Sequence, residues 1–188
     1  RRRRITFKTK KGAEYLERLL FTCPACERVE CMCSAGNRFY CQACGFESEW
    51  TPEGYLEPIH SSDQPRRSVT EWVSWQNDFC EKNIRRMEKE KSPDAIFSDR
   101  DVTLKVGYKA EPLKTVMRGK MMLFIDRFSL AGDDGDEKVF PIEDIDGVQV
   151  LLANKFEFYC KGSLFKFEFA DPRCSGYKYM HAIQKIAP

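Results

Sequence analysis

The chain has 188 residues with 42% hydrophobic and 13% aromatic side chains, which is enough for one or two small globular domains. Its net charge of +2 is nearly balanced, and no apolar run approaches the roughly 20 residues that a membrane-spanning helix needs. Because there is no signal-peptide pattern either, these features exclude a chain that crosses a membrane by its own helix, and we expect a soluble protein.

Nine cysteines are many for this length and would suit a disulfide-rich secreted protein. Four of them, however, form two Cys-x-x-Cys pairs, while Cys80, Cys160 and Cys174 stand alone in apolar patterns. This distribution fits a reducing compartment better. We therefore predict a cytoplasmic location, at the inner face of the membrane if the chain meets one.

Residues 1–21 are predicted to form a basic arm followed by a short helix. The first 20 residues carry eight basic side chains against two acidic ones, and the chain opens on Arg1 without a methionine, which suggests a processed chain or a fragment. Such an arm can contact an anionic membrane surface or nucleic-acid phosphates, and a solvated arm is the simpler alternative. The candidate lipid-contact residues are Arg1, Arg2, Arg3, Arg4, Lys8, Lys10 and Lys11.

The helix of this first segment is predicted from an apolar stripe. Tyr15, Leu16, Leu19 and Leu20 recur at helical spacing. We expect one helix over Gly12 to Phe21 that packs against the module that follows it.

Residues 22–56 contain the most specific motif in the sequence. Cys23-Pro24-Ala25-Cys26 is followed after fourteen residues by Cys41-Gln42-Ala43-Cys44, and two such turns can bring four thiolates to one tetrahedral centre. The spacing predicts a zinc ribbon with structural Zn²⁺ bound by Cys23, Cys26, Cys41 and Cys44. Cys31 and Cys33 lie between the pairs, so a different set of four ligands stays open. Since structural zinc sites keep no position for water, we expect the metal to fold the module and to perform no chemistry.

The strands of this ribbon are predicted from turn residues. Gly36-Asn37 marks a hairpin reversal, and Arg38 to Tyr40 returns to the second cysteine pair. A third strand is expected over Glu47 to Thr51, with Gly54 to Leu56 after it.

Residues 57–99 are predicted to be a linker, over 57–67, followed by an amphipathic helix. Ser68-Val69-Thr70-Glu71 has the capping-box pattern of a helix start, and Ser92-Pro93 ends the helix. An apolar stripe predicts a buried face, with a partner-protein contact as the alternative. The stripe consists of Trp72, Trp75, Phe79, Ile84 and Met87.

In residues 100–188, apolar side chains recur at every second position, and this alternation predicts seven antiparallel strands. The first five cover Val102–Val106, Lys120–Ile125, Phe128–Ala131, Val139–Ile142 and Val148–Leu152. The last two present Phe156, Phe158 and Cys160, then Phe165, Phe167 and Phe169, with a turn at Gly162. A helix over Ser175 to Ile186 follows. The fold class is therefore α+β, with a strongly bent sheet or small barrel closed by a C-terminal helix, and the acidic run Asp133 to Glu137 is expected to be a hairpin turn.

Three segments of this region carry a resemblance. Gly119 to Phe128, Phe140 to Ile145 and Lys155 to Phe158 resemble a pleckstrin-homology-like (PH-like) domain of the GRAM type, covering residues 100–187. The resemblance implies a domain that binds phosphoinositides, other anionic lipids or proteins. Because acidic residues between Asp133 and Asp146 oppose the lysines and arginine near the first strands, protein docking or a scaffold role is favoured over headgroup binding here.

The order of the modules carries a second resemblance, over nearly the whole chain. A helix ending in Tyr15 to Phe21, a ribbon, the segment Val69 to Gln76 and a GRAM-like end are similar to the C-terminal region that follows the catalytic domain in some bacterial 1-acyl-glycerol-3-phosphate acyltransferases. In that family a His with an Asp five positions later supplies the general base. The two histidines here, His60 and His181, are followed at that position by Pro65 and Ile186.

The resemblance therefore implies a non-catalytic regulatory or docking region of a phospholipid-synthesis acyltransferase. Acyl transfer to lysophosphatidic acid would belong to a domain outside this chain. The expected partners are an anionic membrane surface, an N-terminal acyltransferase domain and a protein partner.

Two other classes are alternatives. A nucleic-acid-binding ribbon would use Arg38, Phe39 and Tyr40, but the charge balance beyond residue 20 disfavours it. A protein-interaction adaptor is the other. The sequence contains no G-x-S-x-G or Gly-rich phosphate motif, and Cys33 or Cys80 lacks a neighbouring base to act as a nucleophile.

Overall fold

A computed structural model describes residues 6–60, 67–108, 112–152 and 154–186. These residues form two α-helices, twelve β-strands and two single 3₁₀ turns, so the fold is mixed α+β as the sequence predicts. The chain divides into two compact units, residues 1–79 and 80–188, and the boundary falls within the first α-helix.

The first unit contains a five-stranded antiparallel meander. Its strands pair in sequence order: β1 (Met32–Ala35), β2 (Arg38–Cys41), β3 (Glu47–Trp50), β4 (Tyr55–Pro58) and β5 (Arg67–Ser68). The reversal at Gly36-Asn37 is confirmed, since Ala35 pairs with Arg38 and Gly36 has a φ of +63°. The predicted linker begins inside β4, and residues 61–66 of it lie outside the described residues.

The helix expected over Gly12 to Phe21 is reduced to one 3₁₀ turn, Leu16–Arg18. Backbone amides before this turn donate to the β1–β2 hairpin: Gly12 to Asn37 Oδ1, Ala13 to the Gly36 carbonyl and Tyr15 to Ser34 Oγ, at 2.8 to 3.1 Å. Tyr15 itself has a φ of +66°, which no helix interior adopts. The apolar spacing correctly indicates Leu16, Leu19 and Leu20 as residues that pack in the core, whereas Tyr15 is exposed. The helix prediction was wrong because the amides have partners outside the segment.

Helix α1 (Val69–Glu90) has well-formed ends. The capping box is confirmed: the Glu71 amide donates to Ser68 Oγ at 3.2 Å, and the Ser68 amide donates to Glu71 Oε2 at 2.8 Å. The Ser68 amide and the Ser68 hydroxyl both donate to the Glu71 carboxylate, and these two hydrogen bonds hold the pKa of Glu71 below its ordinary value. At the other end Lys91 has a φ of +50°, and the Ser92 amide donates to the Met87 carbonyl at 2.9 Å, which is a Schellman cap.

The core of the first unit is built around Trp72, which is almost fully buried. Its ring packs edge-on against Phe39 and Phe46, with centroids 5.4 and 6.0 Å away. Trp75 is partly buried and packs against the same core. The two tryptophans of the predicted stripe therefore serve mainly as core residues of this unit.

The second unit contains one seven-stranded antiparallel sheet. Its strands are β6 (Phe97–Gly107), β7 (Lys114–Leu123), β8 (Arg127–Gly132), β9 (Glu137–Pro141), β10 (Ile145–Leu151), β11 (Lys155–Cys160) and β12 (Ser163–Phe169), in the order β10-β11-β12-β6-β7-β8-β9. The number of strands agrees with the sequence prediction, but β6 begins at Phe97, so its first three residues fall at the end of the region 57–99 that was assigned to linker and helix. The acidic run after Gly132 is a hairpin turn, as expected, with Gly135 at a φ of +94°.

This sheet curls into a half-barrel. Strands β9 and β10 lie at opposite edges of the sheet, yet only the 3₁₀ turn Ile142–Asp144 separates them in sequence. Three residues span only a few ångströms, so the two edges must approach each other at this corner. Among the described strands β9 and β10 do not pair, so the barrel of the sequence prediction is an open one.

Phenylalanines fill the concave face of the half-barrel. Phe128 packs against Phe158 and Phe167, at centroid distances of 5.5 and 5.0 Å. Helix α2 (Gly176–Ile186) adds Tyr179, whose ring lies 5.8 Å from that of Phe156. Because these residues recur at every second position of their strands, one face of the sheet becomes a continuous aromatic core.

Candidate metal centre

The first Cys-x-x-Cys segment forms a tight turn around the Cys23 sulfur. The Ala25 amide donates to Cys23 Sγ at 3.4 Å, and the Glu27 amide donates to the Cys23 carbonyl at 3.0 Å. Glu27 has a φ of +59°, which turns the chain back toward Arg28, whose carbonyl accepts from the Cys23 amide at 2.9 Å.

The second segment repeats this geometry at the end of β2. The Ala43 amide donates to Cys41 Sγ at 3.4 Å, and the Gly45 amide donates to the Cys41 carbonyl at 3.1 Å. Gly45 has a φ of +74° and stands where Glu27 stands in the first turn. Each loop thus aims two sulfurs to one side.

Four sulfurs meet between the two turns. The Sγ atoms of Cys23, Cys26, Cys41 and Cys44 all lie within 4.8 Å of one another. Cys23 and Cys44 are 3.7 Å apart, and Cys26 and Cys41 are 3.8 Å apart. Four thiolates around one zinc ion, with Zn–S distances of about 2.3 Å, would be about 3.8 Å apart at tetrahedral angles. The cluster therefore fits a metal ion with soft ligands.

The two cysteines between the pairs have different positions. Cys33 lies in β1 opposite Tyr40 and is not part of the four-sulfur cluster. Cys31 lies just before β1, and its Sγ is 3.3 Å from Cys41 Sγ. Of the ligand sets that the sequence leaves open, the structure therefore brings together the two Cys-x-x-Cys pairs, with Cys31 beside them.

The protein environment favours a thiolate at Cys41. Burial by itself raises the pKa of this group, but hydrogen bonds from Cys31 and from the Cys44 and Ala43 amides outweigh it and lower the pKa to about 7. Burial, together with the hydrogen bond to Cys41, raises the pKa of Cys31 to about 12. Burial also raises the pKa of Cys23 and of Cys44. A cation at the centre would counteract this effect of burial on the pKa values, because metal ligands are bound as thiolates.

Gln76 of helix α1 holds the segment that leads into Cys23. Its Oε1 accepts from the Phe21 and Thr22 amides at 2.9 and 3.2 Å, and its Nε2 donates to the Leu19 carbonyl at 2.8 Å. Trp72 Nε1 also donates to the Thr22 carbonyl at 3.0 Å. Sequence reasoning did not identify Gln76; the available signal is a glutamine four residues after Trp72, on the buried side of the helix.

The basic arm is described only from residue 6 onward. Lys8, Lys10 and Lys11 are exposed and form no ion pair with the described residues, and Phe7 beside them is 70% exposed. The Phe7 amide donates to the Pro52 carbonyl at 2.7 Å, which attaches this segment to the first unit. The four arginines predicted to contact lipid, Arg1, Arg2, Arg3 and Arg4, lie outside the described residues. Within the described chain, no helix combines the length and the apolar character needed to cross a membrane.

The surface that a nucleic-acid ligand would need is partly neutralised. Arg38 Nε lies 2.6 Å from Glu47 Oε1, and Glu49 pairs with Arg38 across β2 and β3. The carboxylates of this face would repel phosphates. Cys80, considered as a nucleophile, is buried, and burial raises the pKa of its thiol to about 12, so it stays protonated at neutral pH.

Comparison of this chain with protein-family models, curated proteins and solved structures gives no match.

Proposed function

We propose that Cys23, Cys26, Cys41 and Cys44 bind one Zn²⁺ ion that stabilises the first unit, and that the chain is a non-catalytic docking region. The main support for the zinc site is the pair of distances between sulfur atoms, 3.7 Å from Cys23 to Cys44 and 3.8 Å from Cys26 to Cys41, which are near those of a tetrahedral zinc–thiolate centre. With four protein sulfurs around it, zinc would have no position for a water molecule, so its role here is structural.

Metal analysis of the purified chain under reducing conditions tests this site. We expect one zinc per chain, lost when any one of the four cysteines is changed to Ser. Cys33→Ser is the matched control, because Cys33 lies in the same hairpin outside the cluster, and should keep the metal. Iron in place of zinc would contradict the metal identity, and the absence of any metal would contradict the site.

We propose that the second unit is a PH-like domain of the GRAM type. The support is its seven-stranded antiparallel sheet, curled around an aromatic core and followed by one helix, together with the sequence resemblance. Its role in the proposal is to dock to a protein or lipid partner.

The membrane contact is assigned to the arm. Its described part presents three exposed lysines and an exposed phenylalanine, Phe7, a combination that suits the headgroup layer of an anionic membrane. Each lysine near such a surface contributes about 1 kcal/mol, so removing three should weaken binding by roughly a hundredfold.

Vesicle co-sedimentation with the full chain tests this assignment. Binding to phosphatidylcholine vesicles should require added phosphatidylglycerol, and changing Lys8, Lys10 and Lys11 to Gln should abolish most of it. The control changes three exposed cations of β7, Lys114, Arg118 and Lys120, to Gln. Loss confined to the β7 variant would move the contact to the half-barrel, and equal loss in both variants would contradict a contact specific to the arm. No binding by the parent chain would leave only a protein-docking role.

The resemblance to bacterial 1-acyl-glycerol-3-phosphate acyltransferases supports the proposal that this region is part of such an enzyme. The chain itself should leave an acyl-CoA and lysophosphatidic acid unreacted. Acyl transfer by the purified chain would contradict the non-catalytic role.

A further inference from the structure

A fifth sulfur lies against the four-cysteine cluster. Cys31 Sγ is 3.3 Å from Cys41 Sγ, which is shorter than either distance quoted above between proposed ligands. The thiol also contacts the Arg28 carbonyl at 3.1 Å, and the Cys31 carbonyl accepts from the Gln42 amide at 2.9 Å. Cys31 is thus fixed in place by both cysteine turns.

Cys31 is not needed to complete a tetrahedral site, because the two Cys-x-x-Cys pairs already supply four sulfurs. Its sulfur nevertheless lies close enough to Cys41 that a small shift of the two side chains would bring them to the disulfide bond length of about 2.05 Å. Cys31 and Cys26 are partly exposed and Cys44 is exposed, whereas Cys41 is buried, so a small oxidant from solvent meets the rim formed by these three residues before it reaches Cys41.

We propose that Cys31 and Cys41 are a redox pair, in which a hydroperoxide forms a Cys31–Cys41 disulfide and the cluster then loses its metal. The inference rests on the proposed zinc site. With hydrogen peroxide, the Cys41 thiolate attacks one peroxide oxygen, the O–O bond breaks, and a sulfenic acid and hydroxide form. The Cys31 sulfur then attacks the Cys41 sulfur, the S–O bond breaks, and the second oxygen leaves as water.

The reaction balances. One thiol, one thiolate, one hydrogen peroxide and one proton give one disulfide and two waters, and the two sulfurs are oxidised while the two peroxide oxygens are reduced. Three thiolates then face the metal in place of four, which lowers its affinity. Since the metal is proposed to stabilise the first unit, oxidation would loosen that unit.

The experiment uses the zinc-loaded full chain and follows zinc release with a colorimetric chelator after hydrogen peroxide is added. Peptide mapping by mass spectrometry then identifies the disulfide. We expect release of one zinc together with a Cys31–Cys41 bridge. Cys31→Ser should bind zinc normally and release it about tenfold more slowly, because the sulfenic acid loses its adjacent thiol. Cys33→Ser is the matched control and should behave like the parent chain.

Three results would overturn the inference. The first is equal release rates for Cys31→Ser and the parent chain. The second is a bridge between other cysteines in the zinc-loaded chain, and the third is loss of zinc binding in Cys31→Ser, which would make Cys31 a ligand. If the parent chain contains no zinc before peroxide is added, the proposed zinc site is contradicted as well. The metal content at the start therefore distinguishes failure of the zinc site from failure of the redox inference alone.

Discussion

At the residue scale, the two cysteine turns differ at one backbone position. Glu27 and Gly45 occupy equivalent places, with φ of +59° and +74°. A left-handed conformation costs a residue with a Cβ about 1–2 kcal/mol, while glycine adopts it freely. The first turn therefore contains a strain that the second does not.

Changing Glu27 to Gly should relieve this strain. We expect the free energy of unfolding of the zinc-loaded chain to rise by about 0.5–1 kcal/mol, since part of the gain is offset by the greater freedom of glycine in the unfolded chain. Gly45→Ala should lower it by about 1 kcal/mol for conformational reasons alone, because a Cβ at Gly45 would meet no atom within 4 Å. Urea unfolding measures both, and Glu57→Gly in β4 is a control expected to destabilise. A destabilising Glu27→Gly would contradict the argument.

The contrast between these two positions shows what a sequence can reveal. Gly45 directly after a cysteine pair predicts its own conformation, because glycine is the residue that tolerates it. Glu27 gives no such signal, and its left-handed conformation is indicated only by its place in the repeated turn. Likewise the four cysteines could be predicted from spacing, whereas the neighbour of Cys41 could not, because Cys31 reaches it through hairpin pairing rather than through a motif.

At the scale of elements, helix α1 and the segment before Cys23 are joined by Gln76. Replacing Gln76 with Leu would leave the Phe21 and Thr22 amides and the Leu19 carbonyl without this partner. At about 1 kcal/mol for each buried group, we expect the free energy of unfolding of the first unit to fall by about 3 kcal/mol. Urea unfolding followed by tryptophan fluorescence measures the change.

The control for this variant is Ser74→Leu, at an exposed position of the same helix. It adds the same side chain without removing a buried hydrogen bond, so its effect should be small. If both variants unfolded at the same urea concentration, Gln76 would have no special role in this unit.

Helix α2 of the second unit is attached to β6 by a buried ion pair. Lys178 Nζ lies 2.7 Å from Asp99 Oδ2, with side chains only 3% and 13% exposed, and Tyr179 Oη donates to the same carboxylate at 2.8 Å. Asp99→Asn should lower the free energy of unfolding by about 3 kcal/mol, because a buried ammonium loses its counter-charge.

A double-mutant cycle tests the pair itself. Asp99→Asn combined with Lys178→Met should be less destabilising than Asp99→Asn alone, since no unpaired charge then remains buried. Lys161→Met removes a lysine that lies 2.8 Å from Asp144 but is 75% exposed, and should have little effect on urea unfolding. Additive costs for Asp99 and Lys178 would show that the two act independently.

Elements were predictable where one local pattern decides them. Alternation predicted the phenylalanine strands, and Ser68 with Glu71 predicted the start of α1. The helix over Gly12 to Phe21 failed because hydrogen bonds to a distant hairpin, which no local pattern reveals, replaced those of a helix. The curl of the second sheet also depends on which strands pair, and this is decided by long-range contacts.

At the scale of the whole molecule, the proposed zinc site would give the two units different sources of stability. The first unit has the cysteine cluster, and the second has an aromatic core without a metal-ligand cluster among its described residues. A zinc chelator should therefore unfold the first unit and leave the second folded. All three tryptophans, Trp50, Trp72 and Trp75, belong to the first unit, so their fluorescence reports on that unit alone.

Chelation should shift the tryptophan emission to longer wavelength, because Trp72 passes from a buried to an exposed position. Amide hydrogen exchange in β11 and β12 should stay slow under the same conditions, since the ladder that joins them is not tied to the metal. Cys23→Ser should reproduce both results without chelator, while Cys33→Ser should not. If the β11 and β12 amides lost protection together with the tryptophan shift, the metal would stabilise the chain as a single cooperative unit, and the division of roles between cysteine cluster and aromatic core would have to be abandoned.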